Sequence, residues 1–140
     1  MRWFFGKVSY MELQKIKEKS LAITIVAILM ILFGVAEIAT GFTHNFLGII
    51  STAEATASTY GAIIIGGLYA VGGLFLLVRR KWAAILAEIC LIFVVIGRIF
   101  MVVVGLYPLN SFLQAFSIIV GTSIAIIFAI YIGLKLKSFK

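Results

Sequence analysis

Three ionisable side chains stand inside long apolar runs of this 140-residue chain: Glu37, Glu88 and Arg98. A charge at mid-bilayer costs about 2.5–3.5 kcal/mol on insertion scales, so such residues pair, face a bundle interior or line water. Two chemistries are open to this set. Glu37 and Arg98 can neutralise each other as a buried ion pair that fixes helix order. Alternatively Glu88, Arg98 and Glu37, with His44 at the mouth, can relay protons or substrate. Tyr69 lies at a depth to hydrogen-bond Glu88, and Arg79 or Arg80 can reach up to it. An enzyme acting on lipids or quinones would draw its acid and base from Glu37, Glu88 and His44. The two carboxylates fall roughly 15 Å apart in depth, at 1.5 Å rise per residue, which is too far to work on one bond.

Other reactive residue types are sparse. His44 is the only histidine, Cys90 the only cysteine, and Met30 and Met101 are isolated. These form neither a disulfide framework nor a transition-metal ligand set. Cys90 reads as a small buried hydrophobe. The expectation is no catalytic residue, no metal and no cofactor.

The surroundings of these residues point to lipid. Hydrophobic residues make up 64% of the chain and charged residues 12%, against about a quarter charged in soluble domains. The length fits one domain. A net charge of +7 would suit nucleic acid, but the basic residues punctuate apolar runs and form no face with readout residues. Nucleic acid is therefore not an expected partner.

A spanning helix needs about 20 apolar residues. Four runs qualify, at about 21–42, 53–78 (with Gly61 as a later start), 82–107 and 112–134. The expected fold is an all-α integral membrane four-helix bundle over 21–140, preceded by a basic amphipathic segment over 1–20. The first run exceeds the roughly 7–15 residues of a signal-peptide core, so it reads as a span. Arg2, Lys7, Lys15, Lys17 and Lys19 precede span one, Arg79-Arg80-Lys81 separates spans two and three, and Lys135, Lys137 and Lys140 follow span four. By the positive-inside rule both termini are cytoplasmic, in a cell or inner membrane.

The connections carry their own signals. Ser9-Tyr10-Met11-Glu12 is a capping box that starts a helix at Ser9. With Trp3, Phe4 and Phe5 ahead of it, that helix either lies on the anionic inner leaflet or extends span one. Ser51-Thr52-Ala53-Glu54 is a second capping box, starting span two while Phe46, Leu47, Ile49 and Ile50 dip into the outer interface. Tyr107-Pro108 ends span three, because the residue before proline disfavours helix. Ser111 with Gln114 caps span four. Trp3, Trp82, Tyr60 and Tyr107 read as interfacial anchors.

Depth and helical phase favour the pair. Glu37 and Arg98 each lie sixteen residues past the start of an outward-running span, at Leu21 and Trp82, or roughly 24 Å in. Ala27, Met30, Gly34, Glu37, Gly41 and His44 share one face of span one. Ala84, Glu88, Leu91, Val95, Arg98, Val102 and Gly105 share one face of span three. Ala62, Gly66, Tyr69 and Gly73 form a third seam, and Ser117 with Gly121 a fourth. Small residues on such seams let backbones approach in lipid. Gly66-Gly67 and Gly72-Gly73 read as packing sites first and flexible points second.

Two stretches, ILMILFGVAEIATGF ending at Phe42 and GGLYAVGGLFLLVRRKWAAILAEICLIFVVIGRI at 66–99, resemble the DoxX-like superfamily of small four-helix membrane proteins. The likeness covers about a third of the chain. It lies in a glycine ahead of a polar residue late in span one, a glycine-rich second span, a basic turn, and a third span with Glu88 and Gly97-Arg98. It implies a four-helix fold and an accessory role near quinone-linked redox enzymes.

Two functions follow. In the first, the chain is a non-catalytic accessory or structural subunit of a larger membrane complex, its partners the bilayer and other membrane subunits or copies of itself. In the second, it is a small homo-oligomeric transporter or channel using Glu88 and the Glu37–Arg98 pair. Four spans without half-helices or an inverted repeat weigh against the second.

Overall fold

A computed structural model describes residues 2–46, 50–51, 56–107 and 112–139. Helix α1 covers Arg2–Thr43, α2 Thr56–Leu77, α3 Lys81–Val103 and α4 Phe112–Lys135, closed by a 3₁₀ turn over Leu136–Ser138. Between α1 and α2, strands β1 (Asn45–Phe46) and β2 (Ile50–Ser51) pair antiparallel, Asn45 opposite Ser51 and Phe46 opposite Ile50. Stretches of all four helices are long and apolar enough to cross a bilayer: Ser9–Thr43, Ser58–Leu77, Lys81–Val103 and Phe112–Ser138. The helices alternate in direction. Gly34 meets Gly66 and Gly73 meets Ala27; Gly61 meets Met101 and Gly72 meets Cys90; Arg98 meets Gly121 and Glu88 meets Gly133. One end of the bundle carries the hairpin and the α3–α4 connection. The other carries the basic turn Arg79-Arg80-Lys81.

α1 is one helix. Its 42 residues measure about 63 Å at 1.5 Å each, twice the roughly 30 Å of bilayer hydrocarbon. The capping box at Ser9 therefore starts nothing. That motif works where the preceding backbone leaves the helix, and here Arg2 to Val8 are already helical. From Arg2 the helix runs without a break into span one, with residues 9–18 exposed.

The connections differ from expectation in two further places. Phe46 and Ile50 pair in the hairpin and Ser51 ends it; Thr52, Ala53 and Glu54 lie outside the described residues, as do Leu47 and Ile49. Span three ends at Val103, ahead of Pro108, which is also outside the described residues along with Ser111. Gly105 does the work, at φ +78°. The Leu106 N–H donates to Met101 O at 2.9 Å and the Gly105 N–H to Val102 O at 3.1 Å, a Schellman stop that satisfies the last carbonyls. Glycine alone enters that left-handed region without a Cβ penalty.

α1 and α2 form the tightest seam. A Cβ at Gly34 would lie 2.5 Å from Gly66 O, one at Gly66 would lie 2.6 Å from Gly34 O, and one at Gly73 2.7 Å from Ala27 O. The core continues through Met30, Tyr69, Leu76, Ala87, Leu91 and Val94 to Ala125 and Ile132. The buried face of α3 is Ala83, Ala84, Ala87, Leu91, Val94, Arg98 and Met101. It is rotated from the expected seam, so Glu88 and Val95 lie at its margin. Gly105 belongs to the stop and is exposed.

Candidate functional site

Packing brings Glu37 and Arg98 together. Gly34 and Gly41 draw α1 onto α2 on either side of Glu37, a Cβ at Gly41 meeting Ala62 Cβ at 2.8 Å. Arg98 reaches the same level from α3. Its Nη2 donates to Glu37 Oε2 in a buried ion pair. Gly121 of α4 leaves the room in which the guanidinium sits. The Tyr69 ring lies 5.7 Å from the guanidinium carbon, within cation–π range, and its hydroxyl donates to Gly121 O at 3.4 Å.

Tyr107 completes the cluster. The Schellman stop folds the chain back, with the Tyr107 N–H on Met101 O at 3.2 Å. Its hydroxyl donates to Glu37 Oε1 at 3.3 Å. Burial, and then the adjacent Glu37 carboxylate, push the Tyr107 phenol well above its usual range, so it stays protonated and able to donate at neutral pH. Tyr107, an expected interfacial anchor, is thus a ligand of the pair. Tyr60 and Trp82 are exposed, with Trp82 edge-on to Phe75 at 6.2 Å; the Trp3 side chain lies outside the described residues.

Above the pair, toward the hairpin end, is a cavity of about 330 Å³. α1 supplies Phe33 and Thr40, His44 follows it, and α4 supplies Ser117, Ile118 and Ile124; Glu37, Arg98 and Tyr107 share the polar part of the wall with Thr40, His44, Ser58, Gln114 and Ser117. His44 ends α1 at φ +52°. Toward the basic end, α1 and α4 meet through the rings of Phe33 and Phe128, 6.4 Å between centroids. Arg98 Nε is buried with no hydrogen-bond partner among the described residues. A buried donor left so costs about 1–3 kcal/mol.

Glu88 is elsewhere. It lies in a groove between α3 and α4 whose other walls are apolar, among them Ile92, Ile96, Ile126 and Ile130. The groove shares no lining residue with the cavity. Glu88 Oε2 is buried and has no hydrogen-bond partner among the described residues. The expected Tyr69–Glu88 bond does not form, because helical side chains tilt toward their own N-terminus. α2 and α3 run oppositely, so Tyr69 leans toward the hairpin end and Glu88 toward the basic end. Arg79, at φ +58°, turns to α1, its Nη2 donating to Thr24 Oγ1 at 2.7 Å.

The arrangement holds charge still at one level and leaves a carboxylate in an apolar groove at another. Among the described residues no three His, Cys, Asp or Glu side chains cluster as a metal site, and Cys90 is half-buried and free. Sequence reasoning missed Tyr107 and Thr40. Only the stop at Gly105 could have signalled Tyr107, by returning the chain over the end of α3. Compared with known proteins, the chain matches no family model, no curated protein and no solved structure.

Proposed function

We propose that the chain is a multi-pass membrane protein with both termini cytoplasmic, working as a non-catalytic accessory subunit of a larger membrane complex. The orientation rests on the basic residues at one end of the bundle. The accessory role rests on one observation. Glu88 lines a groove of isoleucines, and its half-buried carboxylate carries an Oε2 with no hydrogen-bond partner among the described residues. In hydrocarbon such a group is costly until a donor reaches it. A helix of another subunit carrying Lys, Arg or a hydroxyl would supply the donor and cover the groove. The resemblance to DoxX-like proteins makes a quinone-linked redox enzyme the first complex to examine, with any cofactor held by the partner.

Gentle extraction from native membranes, sizing and identification of co-purifying proteins test this. A large assembly of different proteins is expected, and Glu88→Leu should release the chain from it. A homogeneous homo-oligomer, unchanged by Glu88→Leu, would overturn it.

Transport is the second reading, favoured by the cavity over the Glu37–Arg98 pair. It requires a route from that cavity to the Glu88 groove, and the two hollows are lined by separate residues. Glu88→Gln should then abolish flux in proteoliposomes without lowering expression; unchanged flux would remove this reading.

A further inference from the structure

We propose that the cavity over the Glu37–Arg98 pair binds one neutral, single-chain lipid with a hydroxyl or ester head. The volume, about 330 Å³, falls at the lower end of small-molecule sites, about 300–1,000 Å³, and admits one chain rather than two. Phe33, Ile118 and Ile124 give it apolar walls. α1 packs against α2 and α4 against α3; α1 and α4 touch through Phe33 and Phe128. Beyond that contact the seam between them is the cavity, and a tail can leave through it into the hydrocarbon.

The polar groups select the head. Glu37 and Arg98 neutralise each other, so an ionic head would add an uncompensated charge in a low-dielectric site. A neutral head adds none. Arg98 is only 8% exposed and lines the cavity, where its guanidinium can donate to a carbonyl or hydroxyl oxygen. Thr40 donates to Ala36 O at 2.8 Å and Tyr107 to Glu37, which leaves the lone pairs of both hydroxyls to accept from a ligand hydroxyl. Donor and acceptors together match a glycerol monoester better than a pure acceptor or a hydrocarbon. This site is independent of the Glu88 groove and of what covers it.

The test uses the full chain in phosphatidylcholine nanodiscs and a monooleoylglycerol carrying a diazirine in its tail. On irradiation, labelling should saturate at one probe per chain and map to residues 33–44 and 114–124. Unlabelled monooleoylglycerol should displace the probe at a concentration at least ten-fold lower than oleate does. Ser117→Phe, which places a ring in the cavity, should cut labelling at least ten-fold, while Ile99→Phe on the exposed face of α3 should not. Labelling that never saturates, or that falls on the outward faces or in the Glu88 groove, would overturn the proposal. So would oleate displacing the probe as well as the monoester does, which would mark an anion site at Arg98. If Ser117→Phe fails to fold, the wild-type map and the competition decide alone.

Discussion

Along α1–α2, a methyl group added at Gly34 would meet Gly66 O at 2.5 Å and Ala70 N at 2.6 Å. Across α1–α4, the helices leave a cavity of about 330 Å³ and meet through two aromatic rings. One seam is closed by the absence of side chains, the other held apart by them. Backbone contact has no rotamers to adjust, so the first seam sets a fixed distance. In the second, Glu37 of α1 and Tyr69 of α2 converge on the guanidinium that α3 supplies, and α4 accommodates it by presenting Gly121. The polar cluster therefore sits where the rigid seam meets the open one. It takes its geometry from the former and its access from the latter.

Breaking the pair should have the largest effect on this division. Removing one partner of a buried ion pair costs about 3–5 kcal/mol, while replacing both with apolar residues of similar volume is near neutral or stabilising. Glu37→Leu alone should lower unfolding stability in detergent by about that much, because Arg98 is left uncompensated. Glu37→Leu with Arg98→Met should recover most of it. A double variant as unstable as the single one would mean that α4 docks through the guanidinium itself and not through charge balance.

The rigid seam comes next. Gly66→Ala should destabilise by about 1–3 kcal/mol, the usual range for overpacking, since the new Cβ would meet Gly34 O at 2.6 Å and backbone must shift. Thermal unfolding followed by helical circular dichroism measures it. An unchanged midpoint would show that α1 and α2 slide past each other freely, and the contrast between the two seams would fail.

Tyr107→Phe is smaller still. It removes a hydroxyl that donates to Glu37 at 3.3 Å, a long bond to a charged acceptor, so a loss of about 1 kcal/mol is expected. Combined with Glu37→Gln, the loss should shrink, because the acceptor is no longer charged. Equal losses in both backgrounds would mean that Tyr107 acts by packing alone.

What the sequence made legible follows from what each feature depends on. Helix number, the Gly34–Glu37–Gly41 face and the matching depth of Glu37 and Arg98 depend on periodicity and rise, which are local. The α3 stop did not yield to the same reading, because Gly105 falls in phase with the seam and Pro108 offered a louder signal. Depth alone puts Tyr69 beside Glu88, and the opposite tilt of side chains on antiparallel helices separates them. The cavity was out of reach altogether. Its volume depends on how far α4 stands from α1, which side chains of three other helices determine together.

The smallest prediction is also the sharpest, because it concerns adjacent glycines. Gly66 touches the α1 backbone, whereas a Cβ on Gly67 would meet nothing within 4 Å. Gly67 is helical and only half-buried. Alanine there should keep every contact and reduce the freedom lost on folding, a gain of at most about 1 kcal/mol. Gly66→Ala and Gly67→Ala should thus move the unfolding midpoint in opposite directions, down and up. If Gly67→Ala also lowers it, the open side of α2 is covered in the folded assembly. A neighbouring subunit would then be the first thing to seek there.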